Sequence, residues 1–353
     1  MKKIGLVSPF PPKKDGIAIY SDNLYQSLKK NEYEIVTIGN RGSNADYNVD
    51  FKSFNLQKDI YNIIKKEKID IIHIQYVAAL FGRRFMNINL ISALNLSVPV
   101  IVTLHEVQYC TKGFKNKILS YIEKKIINKA DSIVVHTGQQ KKFLEKKYKA
   151  ENITHIYHGL SLYRIQKSPN NKIIFFGMIS KGKGVEYLIK AMQYLPEYHL
   201  LIAGRFVDKK TKKSVIKELK ALNLKNISMH FGWVGEEQKK TYYKNSDLVV
   251  LPYVWAPYQS GVMHDALSWN LPLVVTEEGG LPELVREFRF GEIVKTRSPA
   301  EIAKGVKSVF NNYAKYKEGI IRYRKAANWK TVAYKHLTLY ELVTRDLKYS
   351  KNI

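Results

Sequence analysis

The chain has 353 residues, of which 45% are apolar and 25% charged, and its 58 Lys and Arg against 31 Asp and Glu give a net charge of +27. This length predicts two domains, and the composition fits an ordinary globular protein that can bury its cores. The sequence contains no run of about 18 uncharged apolar residues, so no transmembrane helix is predicted.

The N-terminus combines a charged start with a short apolar run at residues 4–8, which Pro9 follows. The run is too short for a signal peptide and is interpreted as a first strand. The chain has one cysteine, Cys110, which cannot form an internal disulfide. Both features predict a protein of the reducing cytoplasm.

The first half alternates short apolar runs with helical patterns. After the strand at 4–8, a turn that contains Gly16 leads into a helical pattern, without the G-x-G-x-x-G of a dinucleotide site. Further strands are predicted at 34–38, 70–74, 98–104 and 132–136, and helices at 56–68, 86–94, 116–128 and 139–147. Strands that are apolar on both faces and alternate with helices indicate a parallel, doubly wound sheet.

A lysine-rich segment lies within this half. Residues 112–149 hold 11 lysines against three acidic residues. Apolar residues recur there at helical spacing, among them Phe114, Ile118 and Ile122, with lysines around them. This pattern predicts either a helix whose apolar face packs in the core or a surface that binds the anionic inner face of the cell membrane.

Nucleic acid is not an expected partner of the basic surface. The sequence shows no zinc-ligand set, RNA-recognition signature or basic arm, and the basic residues are spread over both halves.

A second series of strands and helices starts after the polar segment 161–171. Its strands are predicted at 173–177, 199–203, 227–231, 248–251 and 273–275, and its helices at 185–193, 213–221, 236–244, 261–269, 281–287 and 299–313. A last helical pattern covers residues 331–349. The two series predict an α/β fold of two Rossmann-like, doubly wound domains, 1–165 and 166–330, that face each other across a cleft.

Ligands of parallel sheets bind beyond the carboxyl ends of the strands. Candidate residues in the first series are Gly16, Gln75, His105, Glu106 and His136. Those of the second series are residues 178–184, Arg205, Trp233 and the stretch 258–283.

The stretch 258–283 has the features of a phosphate site. Backbone N–H groups at Gly261 and Val262 would begin a helix and could bind an anion, and Asp265 would lie on the same helix face. Lys181 and Lys183 stand in a Lys-Gly-Lys-Gly turn, which suits a diphosphate. The alternatives are an ordinary helix start with a first-turn acid and an ordinary basic turn.

Several segments resemble, in their order and spacing, the retaining GT-B glycosyltransferases, particularly glycosyltransferase family 4. In the second half they are residues 173–177, 183–191, 247–252, 259–262 and 276–283, and in the first half residues 11–16, 99–106 and 130–131. The resemblance implies a UDP-sugar or GDP-sugar donor held mainly by the second domain. It further implies a glycan or lipid-linked acceptor held mainly by the first domain. Neither a metal ion nor another cofactor would be required.

The resemblance also implies residue roles. Gly261 and Val262 would bind phosphate, Lys183 would neutralise the leaving diphosphate, Asp265 would hold the ribose, and His105 would lie at the reacting sugar. Gly16 would allow the backbone to approach the donor, and Arg205 and Trp233 are strand-end candidates for donor contacts. His105 could instead be a satisfied strand-end histidine. The helix at 331–349 would pack back on the first domain.

Two positions depart from the family pattern. Its pair of glutamates seven residues apart would fall on Pro257 and Asp265, and its arginine after the strand at 173–177 is Met178. Lys181 could replace the lost positive charge, and Gln259 and Ser260 could take over sugar contacts.

The expected activity is hexosyl transfer with retention in the synthesis of a cell-surface polysaccharide or glycolipid. Because the sequence offers no carboxylate pair for double displacement, same-face attack assisted by the leaving phosphate is expected. A catalytically silent glycosyltransferase-like subunit and a basic nucleic-acid-binding protein are the alternatives.

Overall fold

The computed structural model describes residues 2–13, 16–29, 33–82, 88–109, 113–163, 168–255 and 260–350. The chain divides into two compact units, the first formed by Met1–Gly159 with Ala327–Ile353 and the second by Leu160–Ala326. The sequence placed these divisions at residues 165 and 330.

A seven-stranded parallel sheet with the order β3-β2-β1-β4-β5-β6-β7 forms the first unit. Its central strands β4 and β5 are buried along their whole length, as expected for a sheet covered by helices on both faces. The strands are β1 Lys3–Val7, β2 Glu34–Asn40, β3 Tyr47–Val49, β4 Ile71–Tyr76, β5 Val100–Leu104, β6 Ser132–Val135 and β7 Ile153–His155.

The second unit contains a six-stranded parallel sheet with the order β10-β9-β8-β11-β12-β13. Its strands are β8 Lys172–Phe176, β9 His199–Gly204, β10 Ile227–Phe231, β11 Leu248–Leu251, β12 Leu273–Thr276 and β13 Gly291–Val294. The predicted α/β class with two Rossmann-like, doubly wound sheets is confirmed.

Helices connect the strands in both units. They are α1 Gly16–Leu28, α2 Leu56–Glu67, α3 Ala78–Phe81, α4 Ile88–Ala93, α5 Phe114–Lys129, α6 Gly138–Tyr148, α7 Val185–Ala191, α8 Lys209–Leu222, α9 Glu236–Asn245, α10 Gly261–Ser268, α11 Leu281–Phe288, α12 Pro299–Asn311, α13 Tyr313–Ala327 and α14 Trp329–Ser350. The N-termini of two of these helices are fixed by capping side chains. Thr137 forms a capping box with Gln140 on α6, and Asp208 caps α8.

The sheet of the first unit has an apolar core on each face. One core is lined by α2, α4, α5 and α6. The other joins Tyr20 and Leu24 of α1 to Val332 and Tyr340 of α14. The last helix of the chain is therefore part of the first unit, where it covers the sheet beside α1.

Among the described residues, no helix combines the length and the apolar character that crossing a bilayer requires.

Candidate active site

The Lys-Gly-Lys-Gly turn lies at the carboxyl edge of the second sheet. Lys181–Lys183 form one 3₁₀ turn after β8, and Gly184 follows with a φ of 61°. A Cβ atom on Gly184 would overlap the carbonyl oxygen of Pro252, which follows β11. The Gly182 carbonyl accepts hydrogen bonds from the N–H groups of Val254 at 2.9 Å and Trp255 at 3.2 Å. The turn is therefore bound to the segment that leads toward α10.

Lys183 has an unusual environment in this turn. Its ammonium nitrogen lies 3.5 Å from the centre of the Tyr253 ring, and burial lowers the pKa of Lys183 to about 8. Tyr253 is itself buried, and its hydroxyl lies 3.2 Å from Ser260 Oγ. Lys183 and Ser260 are thus linked through Tyr253, a residue that the sequence analysis did not single out.

The first turn of α10 offers two backbone donors. Met263 N–H donates to the Ser260 carbonyl at 3.0 Å, whereas the N–H groups of Gly261 and Val262 have no acceptor within the described part of the chain. Gly261 is exposed. Val262 lies close to the end of β8, because its Cγ2 would be 3.3 Å from a Cβ atom on Gly177. The helix start therefore lies close to the end of β8, and Tyr253 connects it to Lys183 of the turn. Its open N–H groups can bind an anion.

Asp265 is paired with a lysine that the sequence analysis missed. Lys239 Nζ on α9 lies 2.8 Å from Asp265 Oδ2, with 20% and 33% of the two side chains exposed. Burial raises the pKa of Asp265, and the Lys239 ammonium opposes that rise. Lys239 precedes Tyr242 and Tyr243 by three and four positions, and Tyr243 is fully buried. That spacing places Lys239 on the inward face of α9, and it could have identified this lysine from the sequence.

The other second-unit candidates lie around this centre. Lys181 and Arg205 are exposed, and Trp233 is 67% exposed on the loop after β10. The backbone carbonyl of Arg205 accepts a 2.8 Å hydrogen bond from Ile179 N–H, which fixes the loop after β9 against the loop after β8. A cavity of about 360 Å³ beside Arg205 is lined by Phe206, Val207, Asp208, Lys209, Lys212, Phe231 and Gly232.

Four further positions from the sequence predictions are Pro257, Gln259, Met178 and Gly16. Gln259 and Pro257 lie outside the described residues. Met178, at the position of the family's arginine, has an exposed side chain. Gly16 opens α1 in the first unit, and no described atom lies within 4 Å of the place where its Cβ would be.

His105 lies at the carboxyl end of β5 and has partners at both ring nitrogens. Its Nε2 is 2.9 Å from Gln75 Oε1, and its Nδ1 is 3.4 Å from His136 Nε2. The Tyr20 and His105 rings pack edge to face, with 4.8 Å between the ring centres. Burial lowers the pKa of His105 well below its usual range, and the neighbouring His136 lowers it further. The histidine is therefore neutral and held on two sides.

Glu106 follows His105, and burial raises the pKa of its carboxyl group. The histidines of this region do not form a metal site, since no cluster of three or more His, Cys, Asp or Glu suited to a metal occurs in the part of the chain that is described.

Two family models match the chain in succession. The model described as "Glycosyltransferase Family 4" matches residues 14–164, and that described as "Glycosyl transferases group 1" matches residues 164–327. An uncharacterised glycosyltransferase of Haemophilus influenzae is 25% identical over 332 residues, 88% of this chain and 91% of that protein. One of Methanocaldococcus jannaschii is 29% identical over 178 residues, which span 48% of this chain and only 44% of that protein.

Solved structures are similar over nearly the full chain. The sucrose-phosphate synthase of Thermosynechococcus elongatus superposes with a TM-score of 0.76 at 17% identity, and the superposition covers 98% of this chain and 100% of the synthase chain. Anabaena HepE in complex with UDP has a TM-score of 0.70 at 15% identity, and its superposition covers 97% of this chain and 100% of the HepE chain. At these identities the similarity concerns the fold.

Proposed function

The chain belongs to the group 1, family 4 type of GT-B glycosyltransferases, and we propose that it transfers a hexosyl unit from a nucleoside diphosphate sugar with retention of the anomeric configuration. The observation that carries the proposal is the link from Lys183 through Tyr253 to Ser260, the residue directly before the open N–H groups of Gly261 and Val262. One ammonium group and two aligned N–H groups suit the charge that develops on a departing diphosphate.

The nucleotide would be held by both charges and hydrogen bonds. The diphosphate would lie on the α10 N-terminus, and Lys183 would contribute its positive charge. Asp265 Oδ2 is paired with Lys239, which leaves Oδ1 to accept a hydrogen bond from a ribose hydroxyl. Arg205 and Trp233, on the loops after β9 and β10, would contact the remaining part of the donor.

In the proposed reaction, the bond between the sugar C1 and the phosphate oxygen breaks, and the acceptor oxygen bonds to C1 from the same face. The acceptor proton passes to the leaving phosphate oxygen, so protons and charge balance without a side-chain nucleophile. NMR of the first product formed from a donor of known configuration tests this step. We expect the anomer of the donor, and the opposite anomer would contradict the proposal.

We propose that transfer requires no metal ion, because Lys183 and the helix N–H groups supply the positive charge at the diphosphate. Turnover measured with excess EDTA should equal turnover without it. A loss that added Mg²⁺ or Mn²⁺ restores would contradict metal independence while leaving glycosyl transfer intact.

The donor nucleotide is proposed to be UDP or GDP. HepE was solved with UDP and with UDP-glucose, which supports testing the uridine series first. Thermal-shift screening of UDP, GDP, ADP and CDP should show stabilisation by one of the first two, because a ligand that binds only the folded state raises Tm. Stabilisation by none of the four would contradict the donor proposal.

We propose that the acceptor is a glycan or a lipid-linked glycan at the inner face of the cell membrane, in cell-surface polysaccharide or glycolipid synthesis. The predicted apolar stripe of α5 packs largely in the core, through Leu119, Ile122 and Ile126. Phe114, which is 81% exposed, and the exposed lysines of α5 remain at the surface. These groups favour electrostatic attachment to anionic lipid.

Sedimentation with phosphatidylglycerol vesicles tests this attachment. Wild-type protein should sediment with the vesicles at low salt and be released as the salt concentration rises. Replacing Lys115, Lys117, Lys124 and Lys125 by Glu should abolish sedimentation. The same replacement at Lys209, Lys210, Lys212 and Lys213 on α8 is the control, and equal losses in both variants would contradict a specific role for α5.

The departures from the family pattern favour one competing function, a catalytically silent subunit, since Met178 replaces an arginine and Pro257 a glutamate. Release of UDP or GDP from a panel of their sugars, with membrane extract as the acceptor source, separates the two functions. We expect turnover. Nucleotide binding with no turnover across the panel would assign the silent role.

A further inference from the structure

A row of polar side chains, all buried except the half-buried His105, crosses the carboxyl ends of β4, β5 and β6 in the first unit. Each member lies within hydrogen-bonding distance of the next, from a helix at one end to a backbone carbonyl at the other. The contacts are Tyr340 OH to His73 Nδ1 at 2.7 Å, His73 Nε2 to Gln75 Nε2 at 3.1 Å, Gln75 Oε1 to His105 Nε2 at 2.9 Å, His105 Nδ1 to His136 Nε2 at 3.4 Å, and His136 Nδ1 to the Ile156 carbonyl at 3.0 Å. This series is termed the histidine relay.

The Ile156 end sets the direction of the relay. A carbonyl oxygen only accepts, so His136 must donate from Nδ1. Burial lowers the pKa of His136 to about 3, which keeps the ring neutral and leaves a lone pair on Nε2. That lone pair faces His105 Nδ1, and two facing lone pairs would repel. His105 therefore carries its proton on Nδ1 and has its own lone pair on Nε2.

Gln75 transmits this direction to His73. In the structure, Gln75 Oε1 faces His105 Nε2 and Gln75 Nε2 faces His73 Nε2. The lone pair on His105 Nε2 requires a donor, which the Gln75 NH₂ group supplies once the amide is turned by 180° so that its nitrogen faces His105. The oxygen and nitrogen of a side-chain amide are distinguished by such hydrogen-bonding requirements. In this orientation the Gln75 oxygen faces His73 Nε2, which donates to it and to Thr103 Oγ1 at 2.7 Å. His73 Nδ1 then accepts from the Tyr340 hydroxyl.

We propose that the histidine relay makes Tyr340 of α14 a positioning residue for His105, because its hydroxyl donates into the row in the direction that the Ile156 carbonyl requires and so stabilises the Nδ1–H tautomer of His105 in one ring orientation. The inference rests on the proposed glycosyl transfer and on the place at the reacting sugar that the family resemblance implies for His105. With the Gln75 amide turned in this way, every donor in the relay points away from α14 and toward Ile156, and the whole row is satisfied in one direction. The last helix of the chain thereby acts on His105 through a fully buried residue.

The tautomer can be measured without any substrate. Long-range ¹H–¹⁵N correlation NMR of the full chain, with histidines assigned by substitution, reports which ring nitrogen carries the proton. We expect protonation on Nδ1 for His105 and His136 and on Nε2 for His73. His105 protonated on Nε2 would overturn the relay, and this readout does not depend on whether glycosyl transfer itself is observed.

Tyr340→Phe tests the coupling to α14. The variant removes the hydroxyl donor at the start of the relay, so the nitrogen shifts of His105 should move toward those of a mixture of tautomers. UDP release from UDP-glucose should fall about 3- to 10-fold in kcat, the effect of one lost hydrogen bond, with the KM for donor within about twofold. His105 shifts and kcat equal to those of the wild type would overturn the proposal.

Two control variants separate positioning from stability. Tyr334→Phe removes a hydroxyl from an exposed tyrosine on the same helix and should leave kcat and the His105 shifts unchanged. Val343→Ala loosens the packing of α14 on its core and should lower Tm without changing the tautomer. A change of the His105 shifts in Val343→Ala equal to that in Tyr340→Phe would mean that loose packing alone moves them. If all variants keep the expected tautomers but no nucleoside diphosphate binds, the proposed function fails and the role in catalysis fails with it.

Discussion

At the scale of single residues, the ion pair between Asp265 and Lys239 is the contact most tied to donor binding. A carboxylate that loses solvent is stabilised in its charged form by a nearby cation, and here a lysine from α9 supplies that cation at 2.8 Å. The family pattern has a glutamate at position 265, and the shorter aspartate meets the lysine instead. Lys239 is therefore expected to keep Asp265 charged and oriented.

Lys239→Met should weaken the binding of a nucleoside diphosphate. With the ammonium removed, burial raises the pKa of Asp265 further and its orientation is lost, so Kd is expected to rise about 3- to 10-fold. Isothermal titration calorimetry measures this change. Lys240→Met is the matched control, because Lys240 is the next residue of α9 and pairs with Glu237. Equal Kd values for the two variants would show that Lys239 has no part in binding.

Lys183 should give nucleotide binding a dependence on pH. In the proposed site the ammonium form of Lys183 binds the diphosphate, and burial lowers the pKa of Lys183 to about 8. As pH rises through that value the free protein loses the charge, so affinity should fall about fourfold between pH 7 and pH 8.5. Calorimetry at both pH values measures the change, and Lys183→Arg, which stays protonated, should show a flatter profile. An equally steep fall in Lys183→Arg would contradict the assignment to Lys183.

At the scale of elements, the sequence located the buried central strands and missed the short edge strands. Strands β3, β7 and β13 were not predicted, and each has only three or four residues paired on one side. Such strands bury few side chains, so their apolar pattern is too short to distinguish from a loop. The predicted helix at 299–313 ends at Asn311, and α13, which begins at Tyr313, was not predicted.

The apolar stripe of α5 could not be assigned to a core or a membrane from its spacing alone. The same helical spacing serves a core face and a membrane face, and only the packing of Leu119 and Ile122 against the sheet separates the two. The stripe was predicted to include Phe114, which instead lies at the helix start and is exposed. The sequence identified the amphipathic helix correctly but could not say which neighbour covers it.

The glycine turn after β8 predicts a strong effect of one added methyl group. Gly184→Ala would place Cβ against the Pro252 carbonyl at a φ of 61°, which costs more than the small entropic gain of alanine. We expect a lower Tm and weaker nucleotide binding, because the turn that carries Lys183 must shift. Gly235→Ala is the control, since no described atom lies within 4 Å of its Cβ position. Equal Tm values for the two variants would refute the close approach.

At the scale of the whole molecule, the sequence supplied the fold class and the strand-end candidates but not the contacts among them. Gln75, His105 and His136 were each singled out because they follow strands, and the structure joins them in one relay. Tyr340 was missed because it is far away in sequence and lies on a helix with no motif. Lys239 was missed although its spacing to Tyr243 places it on the inward face of α9, because that spacing does not say which residue it meets. Such partners follow only from the tertiary fold.

Buried histidines should make the whole molecule sensitive to acid. Burial lowers the pKa values of His136 and His336 to about 3, whereas both groups titrate near 6.5 in an unfolded chain. The unfolded state therefore binds more protons below pH 6.5, and stability falls as pH is lowered from about 6.5 toward 3. At pH 5 each group is expected to cost about 2 kcal/mol. Thermal unfolding followed by circular dichroism should show Tm falling between pH 7 and pH 5.

His336→Phe isolates one of these groups. The ring of His336 is fully buried, and neither nitrogen has a partner among the described residues, so a phenyl ring should be tolerated. The fall in Tm between pH 7 and pH 5 should be smaller in this variant than in the wild type. Val343→Ala, which loosens the same core without removing a histidine, should keep the full fall. Equal falls in all three proteins would contradict the contribution of His336.

The central claim is that the second unit binds a nucleoside diphosphate sugar through α10 and the lysine turn. Calorimetric titration of UDP and GDP into the wild type and Asp265→Ala tests it most directly. We predict that one nucleotide binds the wild type and that the variant binds it at least about 10-fold more weakly, because the ribose loses its carboxylate partner. Binding of neither nucleotide to the wild type, or equal affinity in the variant, would contradict the claim.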